Sequence, residues 1–351
     1  MTCKEPGDRF AQILFISCGV IAMIPELKRL ETLDGYRQYF MDAGLWKPYV
    51  QMVCRRYDLL PCQQVQAGLA GTFPTFIVDE RWVVKFFGRL FGGELAYQTE
   101  LQVNRLLPSD LAVRVPALLN DGWLLEGDPI WSWPYLIFEY IPGISIGEVY
   151  DQVSFEEKLA LARALGEATR QMQRLPLDDT PFFRAGREAY IRFLKYQRER
   201  CFANHRQWQS LPEHLIDQIE DYLLPVEILA DRRFPHGLIH ADITRDHILG
   251  RLEAGRWTTL GLIDFGDAMV GNVFYDLAAL HIDLFRGDKR LLQAYLEAYT
   301  LEDRWQFPHI AMSAALLHQF DIFSGLAEIL PEARQASTLS DLAKRVWDIE
   351  S

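Results

Sequence analysis

Two acidic residues, Asp242 and Asp264, stand where they could do chemistry together. Asp242 lies within His240-Ala241-Asp242-Ile243-Thr244-Arg245-Asp246-His247, and Asp264 within Ile263-Asp264-Phe265-Gly266-Asp267. Each follows an apolar run, Leu238-Ile239 in the first case and Leu260 to Ile263 in the second. Each is therefore expected just beyond a strand end, where the turn exposes it. A hairpin-like excursion separates them by 22 residues and lets the carboxylates converge. Phosphoryl transfer uses such a pair. One carboxylate takes or orients the proton of the attacking hydroxyl, and the other holds the Mg2+ that bridges the nucleotide phosphates. The plain alternative is two surface turns with solvated acids, and the order and spacing of the two segments argue against it.

Upstream, Lys85 interrupts the apolar run Val83-Val84-Lys85-Phe86-Phe87. An amine there is costly to bury without a counter-charge, so a phosphate and a carboxylate are its natural partners. Glu100, on the helix expected to follow, is the first candidate and Glu94 the second; the bland reading has Lys85 snorkelling from an edge strand. Before it, Ala67-Gly68-Leu69-Ala70-Gly71-Thr72 forms a turn whose small residues let backbone N–H groups approach a phosphate. The segment Phe138-Glu139-Tyr140-Ile141-Pro142-Gly143 follows a strand, and its main chain at Glu139 and Ile141 offers groups for an adenine edge.

The elements that must position these residues change character near residue 140. Runs 72–78, 81–87 and 133–141 read as strands, with Asp79-Glu80 as a short hairpin connection. Between them, 93–107 carries Leu95, Leu101, Leu106 and Leu107 at helical spacing and ends at Pro108. Residues 154–175 open with a Ser154/Glu157 capping box and run apolar at i, i+3, i+4. A second helical block covers about 186–230. The expected fold class is α+β in two lobes, with a ligand site between them. The division is an N-terminal extension, mostly helical, over 1–60, an N-lobe over 61–140, and a C-lobe over 141–351 that includes a helical subdomain at 186–230.

In this order, with Gly271-Asn272-Val273-Phe274-Tyr275-Asp276-Leu277-Ala278 downstream, the motifs resemble the aminoglycoside phosphotransferase family over about residues 60–300. That family has a protein-kinase-like fold, a β-rich N-lobe with one long helix and a predominantly helical C-lobe, and it includes hygromycin B phosphotransferases. The resemblance implies ATP, with GTP as the other donor, and Mg2+. It implies Asp242 as catalytic base, Asp264 as principal Mg2+ ligand, Lys85 on the α/β-phosphates and Glu100 paired with Lys85. His240 would hold the loop, and Asp276 would tie the C-lobe helices to it. Asp246 and Asp267 are the candidates for ammonium groups of an acceptor. One departure is His247, which stands where the family usually has Asn. Imidazole is a softer donor than an amide oxygen and suits Mg2+ less well, so His247 is a candidate to ligate a metal directly or through a bound water, or else leaves a second metal position weakened.

The implied activity is O-phosphorylation of a small molecule, an aminoglycoside or hygromycin-like antibiotic, by a resistance enzyme. The alternatives are a kinase of a macrolide or an endogenous metabolite, and a nucleotide-binding module without turnover. His236, His240, Asp242 and His247 also admit a transition-metal site, though they fall in a loop rather than on one helix face.

Composition narrows the field. The 351 residues carry 36 Lys plus Arg against 48 Asp plus Glu, a net charge of −12 without a basic run, which excludes a nucleic-acid footprint. Residues 141–351 hold most of it, 23 basic against 32 acidic groups, which accords with a cationic small-molecule acceptor. Five scattered cysteines without a C-x-x-C point to a reducing, cytoplasmic setting. Phe10 to Ile24 is apolar but only 15 residues long, short of the roughly 20 a membrane span needs. It reads as a buried segment or an over-extended start before Met23, with Phe15-Ile16-Ser17-Cys18 as a weak export signal; no membrane association is expected, and the assembly is a monomer or dimer.

Overall fold

The computed structural model describes residues 27–69, 71–177 and 179–349. Phe10–Ile24, Cys3 and Cys18 lie outside the described residues, and so do the readings attached to them. The chain forms two compact units, one of residues up to Leu101 with Ala117–Tyr140, the other of Gln102–Pro116 with Ile141 onward.

In the first unit, strands β1 (Val65–Ala67), β2 (Thr75–Val78), β3 (Trp82–Phe86), β4 (Leu118–Trp123) and β5 (Pro134–Glu139) form an antiparallel sheet in the order β1-β2-β3-β5-β4. Side chains alternate across it. Trp82, Val84, Phe86, Phe76, Val78, Tyr135 and Ile137 pack on Trp46, Tyr49, Val50 and Val53 of helix Ala43–Arg56. The Trp46 ring stacks on Phe86 at 4.7 Å. On the opposite face, Phe87, Leu136 and Phe138 pack with Tyr97 and Leu101 of helix Gly93–Leu106. Lys85 belongs to that second series by parity, so the strand period alone aims it at the helix carrying Glu100.

The strands are shorter than their apolar runs. β2 starts at Thr75 because Pro74 has no N–H to give the ladder. Asp79 and Glu80 make the tight connection to β3 with left-handed φ of 51° each. Leu95 corrects the sequence reading: it is 66% exposed, because six residues from Leu101 is not a helical repeat, and Tyr97 takes the buried position instead. β1 and β4 were not anticipated. β4 reads Leu-Leu-Asn-Asp-Gly-Trp, poor in β-formers, and is held by its pairing with β5.

The second unit is mainly helical around one large apolar core. Ser154 caps helix Phe155–Gln173, its Oγ accepting from Glu157 N–H while Glu157 Oε2 accepts from Ser154 N–H at 3.0 Å, the expected capping box. This helix packs closely on helix Lys289–Tyr299. A Cβ at Gly166 would meet Tyr295 O, so only glycine fits the crossing. Strands β6 (Ile144–Ser145), β8 (Ile248–Glu253) and β9 (Arg256–Leu262) form one sheet, and β7 (Gly237–Ile239) pairs antiparallel with β10 (Met269–Gly271). Helix Gly186–Trp208 is followed by short helical turns at Glu213–Ile216, Ile219–Tyr222 and Val226–Leu229. Tyr190 and Phe193 set their rings edge-on to Tyr275, as core aromatics, while Tyr196 is exposed.

His281 gives this unit a pH signature. The ring is buried, its Nε2 donates to Val346 O at 2.8 Å, and burial pulls its pKa down to about 4. Between the usual value near 6.5 and about 4 the unfolded chain binds a proton that the folded chain refuses, so this contribution is complete above that window and is lost as pH falls through it. The depression is worth about 3 kcal/mol. His281→Gln is therefore expected to show a shallower loss of stability than the unaltered chain between pH 7 and about pH 4.5, measured by urea unfolding at each pH.

Candidate active site

β7 ends at Ile239, β9 ends at Leu262, and the two segments that follow meet. Ile263 is the joint. Its carbonyl accepts from His240 Nε2 at 3.0 Å and its N–H donates to His247 O at 3.0 Å, so the chain before Asp264 is tied to both ends of the loop carrying Asp242. Two residues there adopt a left-handed conformation that non-glycine residues rarely take, Ala241 at φ +68° and Asp264 at +67°. A carboxylate holds each bend, that of Asp276 at Ala241 and the residue's own at Asp264. Ala241 N–H donates to Asp276 Oδ1 at 2.6 Å, and Asp264 Oδ1 accepts from Gly266 N–H at 3.4 Å.

Asp276 reaches the loop from helix Val273–Ala279, whose N-terminus Asn272 caps by accepting from Phe274 N–H. Asn272 also donates from Nδ2 to Leu229 O at 2.6 Å, which fixes that helix start in the core. Burial pushes the Asp276 carboxyl up to about 7, and the N–H groups of Ala241 and His240 work against that rise. Among the described residues its Oδ2 has no hydrogen-bond partner.

Asp242 is itself pushed up to about 7, first by burial. His247 opposes the rise, while Asp267, Asp264 and Asp283 add to it. Four carboxylates thus share one neighbourhood. His247 turns Nδ1 to Asp242 O at 2.6 Å, with Thr244 Oγ1 at 3.1 Å and Asp242 Oδ2 at 3.8 Å. Because a carbonyl only accepts, Nδ1 carries the hydrogen, and a metal would have to be met by Nε2. Asp283 came from no motif. It accepts from Arg245 N–H at 2.7 Å and from the Arg245 guanidinium at 3.2 and 3.3 Å, pinning the outer end of the loop.

The other predicted residues are placed as follows. Lys85 Nζ lies 2.8 Å from Glu100 Oε2, both nearly buried, with the rings of Phe87 and Phe73 at 5.3 and 5.9 Å from the ammonium. Glu94 stands in the first turn of the same helix. Gly68 donates its N–H to Thr75 O at 2.8 Å, and Gly71 has open space where a Cβ would be. Glu139 ends β5 with its N–H on Ala117 O, and Ile141 is buried in the second unit, its side chain against Gly261. Asp246 is exposed and accepts from Ser145 Oγ at 3.4 Å. Asp267 Oδ1 accepts from Gln319 Nε2 at 2.9 Å. His236 lies edge-on to Tyr190, away from such a cluster, and among the described residues no three His, Cys, Asp or Glu side chains converge as a metal cage. Gln319 and His318 escaped the sequence reading; they sit far downstream without any local motif.

Comparison with known proteins places this arrangement. At 20% identity the fold matches the GDP complex of aminoglycoside 2'-phosphotransferase-IIIa, with a TM-score of 0.60 over 85% of this chain and 97% of that one. The ADP-bound aminoglycoside phosphotransferase APH(2'')-Ib is 17% identical with a TM-score of 0.53 over 86% and 99% of the two chains. Part of the lysine-specific demethylase JMJ21 of Arabidopsis thaliana is 21% identical over 271 residues, 62% of this chain; the match spans only 29% of that protein's length. At these identities the structural likeness is one of fold, and the fold is the α+β, protein-kinase-like one expected. The phosphotransferase enzyme family model (APH) matches residues 64–308, which take in the lysine strand, both aspartate segments and the Asp276 helix. The chain belongs to the phosphotransferase enzyme family.

Proposed function

We propose that the chain is a kinase of small molecules, transferring the γ-phosphoryl group of ATP, or of GTP, to a hydroxyl of a cationic acceptor of the aminoglycoside class. The observation that carries this reading is the joint at Ile263, which ties the Asp264 strand end to both ends of the Asp242 loop. Asp242 takes or orients the acceptor's proton, and Lys85, held by Glu100, meets the nucleotide phosphates. Gly68 and Gly71 lie along the phosphates, and the main chain at Glu139 and Ile141 meets the base. These assignments divide nucleotide binding and acceptor binding between residues 61–140 and 141–351.

The donor set suits Mg2+. Asp264 offers a hard carboxylate oxygen, nucleotide phosphates would supply further oxygens, and the carboxylates that raise Asp242 would gain from a nearby cation. When bound, the ion would neutralise charge on the transferring group, held by Asp264 and with His247 beside it through Nε2. Asp242 then works from a loop whose main chain is already fixed, so little reorganisation accompanies transfer. Asp267 and Asp246 are the carboxylates assigned to acceptor ammonium groups. Complexes of related enzymes support that class: solved structures of APH(2'')-IIa, 20% and 18% identical to this chain, hold gentamicin in one case and streptomycin with ATP in the other. Cys54, Cys62 and Cys201 are buried free thiols, which supports a cytoplasmic setting. No helix among the described residues is long and apolar enough to cross a membrane.

The test is label transfer from γ-32P-ATP and γ-32P-GTP, with Mg2+, to kanamycin, gentamicin, streptomycin, hygromycin B and a macrolide. Labelled product with at least one aminoglycoside is expected. Labelling of the macrolide alone, or of none of the five, would overturn the acceptor class.

A further inference from the structure

The peptide groups on either side of Asp242 are gripped by three imidazoles. Asp242 N–H donates to His240 Nδ1 at 3.3 Å, and Asp242 O accepts from His247 Nδ1 at 2.6 Å. The third imidazole comes from outside the motif. His318 Nε2 donates to Ala241 O at 3.1 Å, across 77 residues of sequence. Its tautomer is set by Phe320 N–H, which donates to His318 Nδ1 at 3.3 Å and leaves the hydrogen on Nε2. The ring is buried and stacks on Tyr275 at 4.8 Å and 22°. The same short segment reaches a second carboxylate. Gln319 N–H donates to Tyr275 Oη at 3.0 Å, and Gln319 Nε2 donates to Asp267 Oδ1 at 2.9 Å.

We propose that His318 is a positioning residue for Asp242, and that His318-Gln319 ties the orientation of that carboxylate to the placement of Asp267. The proposal rests on the role given to Asp242 above. Ala241 is bent at φ +68°, a conformation that does not persist unaided. Asp276 holds the N–H of Ala241 and His318 its C=O, so the bent residue is fixed on both sides; in the peptide leading into Asp242, His318 holds the C=O and His240 the N–H. Without the donor on Ala241 O this peptide keeps only the long 3.3 Å bond from Asp242 N–H to His240 and gains freedom to rotate. The Asp242 side chain would then leave its line to the acceptor hydroxyl, while residues that meet the nucleotide are untouched.

The test compares His318→Phe, which keeps a ring against Tyr275 but has no donor, with His318→Gln, which keeps an N–H donor. The probe is γ-32P-ATP with Mg2+ and water as acceptor, so no identified antibiotic is needed. His318→Phe is expected to lower kcat about 100-fold with KM for ATP changed less than about 3-fold, and His318→Gln to recover most of the loss. Retention of kcat within about 3-fold in the Phe variant, or equal losses in both variants, would overturn the proposal. Asp242→Asn in the same assay separates the two readings. If it too keeps hydrolysis, the role of Asp242 is at fault; if it alone is inactive, only the brace is. Should His318→Phe not fold, nitrogen-15 histidine spectra of the unaltered chain decide. A hydrogen on Nε2 that persists to about pH 5 supports the brace, and a hydrogen on Nδ1 overturns it.

Discussion

Asp242→Asn will lower kcat for phosphoryl transfer by about 100- to 10,000-fold, the span attributable to a positioned general base. The amide keeps the shape of the side chain but cannot take a proton. The loop should survive, because its brace uses main-chain groups: Asp242 N–H on His240, Asp242 O under His247, and Ala241 held by Asp276. Nucleotide affinity, read by calorimetry, should change less than about threefold, since nothing assigned to nucleotide binding is altered. Stability should move the other way from activity. Burial and three neighbouring carboxylates push Asp242 up to about 7, so the folded chain holds a proton that the unfolded chain, near 3.8, gives up. Ionising this group in the fold therefore costs stability as pH rises from about 4 to about 7. With no metal present, the Asn protein at pH 8 should melt no lower than the unaltered chain, and higher if the site relaxes little. A variant that turns over within tenfold of the original, or that melts well below it, would contradict the assignment.

Glu100→Ala should destabilise the chain by about 3–5 kcal/mol, the cost of breaking a buried ion pair from one side. The substitution removes the carboxylate 2.8 Å from an ammonium that is nearly sealed from water beneath Phe73 and Phe87. The charge itself is the expensive component. The double variant Lys85→Met, Glu100→Leu removes both charges, keeps apolar volume on that face of the sheet, and should regain most of the lost stability. Urea unfolding of the two proteins reads the difference directly. Phosphoryl transfer should be lost in both, because the amine assigned to the phosphates is displaced in one and absent in the other. If the double variant is as unstable as the single one, the pair is held by packing rather than by charge.

Different parts of this protein were legible to different degrees. The Ser154 capping box, the tight connection at Asp79-Glu80 and the helix over Gly93–Leu106 follow from patterns only a few residues long, and each is present. The pairing of Lys85 with Glu100 followed from the cost of a lone charge in an apolar strand, and strand parity aims the amine at that helix. The same local logic fails at Leu95, where leucine spacing predicts a buried face that Tyr97 and Leu101 in fact define. It was silent on β4, whose Asn-Asp-Gly composition resists a strand until β5 pairs with it.

The loop that carries Asp242 shows the division most clearly. Two aspartates after apolar runs, a histidine ahead of one of them and a lysine inside a strand are enough to name the family and its chemistry, because these are short-range requirements written in adjacent residues. What holds Asp242 still is written elsewhere. Asp276 reaches Ala241 from 35 residues away, His318 from 77, and Asp283 takes Arg245 from a helical segment the motif does not include. The raised proton affinity of Asp242 likewise arises from burial and from three carboxylates on two other stretches of chain, Asp264 and Asp267 on one and Asp283 on the other. Residue type and spacing determined which groups can react. Burial, backbone bends and hydrogen bonds across the fold decided their protonation and orientation, since both depend on neighbours that come near only when the chain is folded.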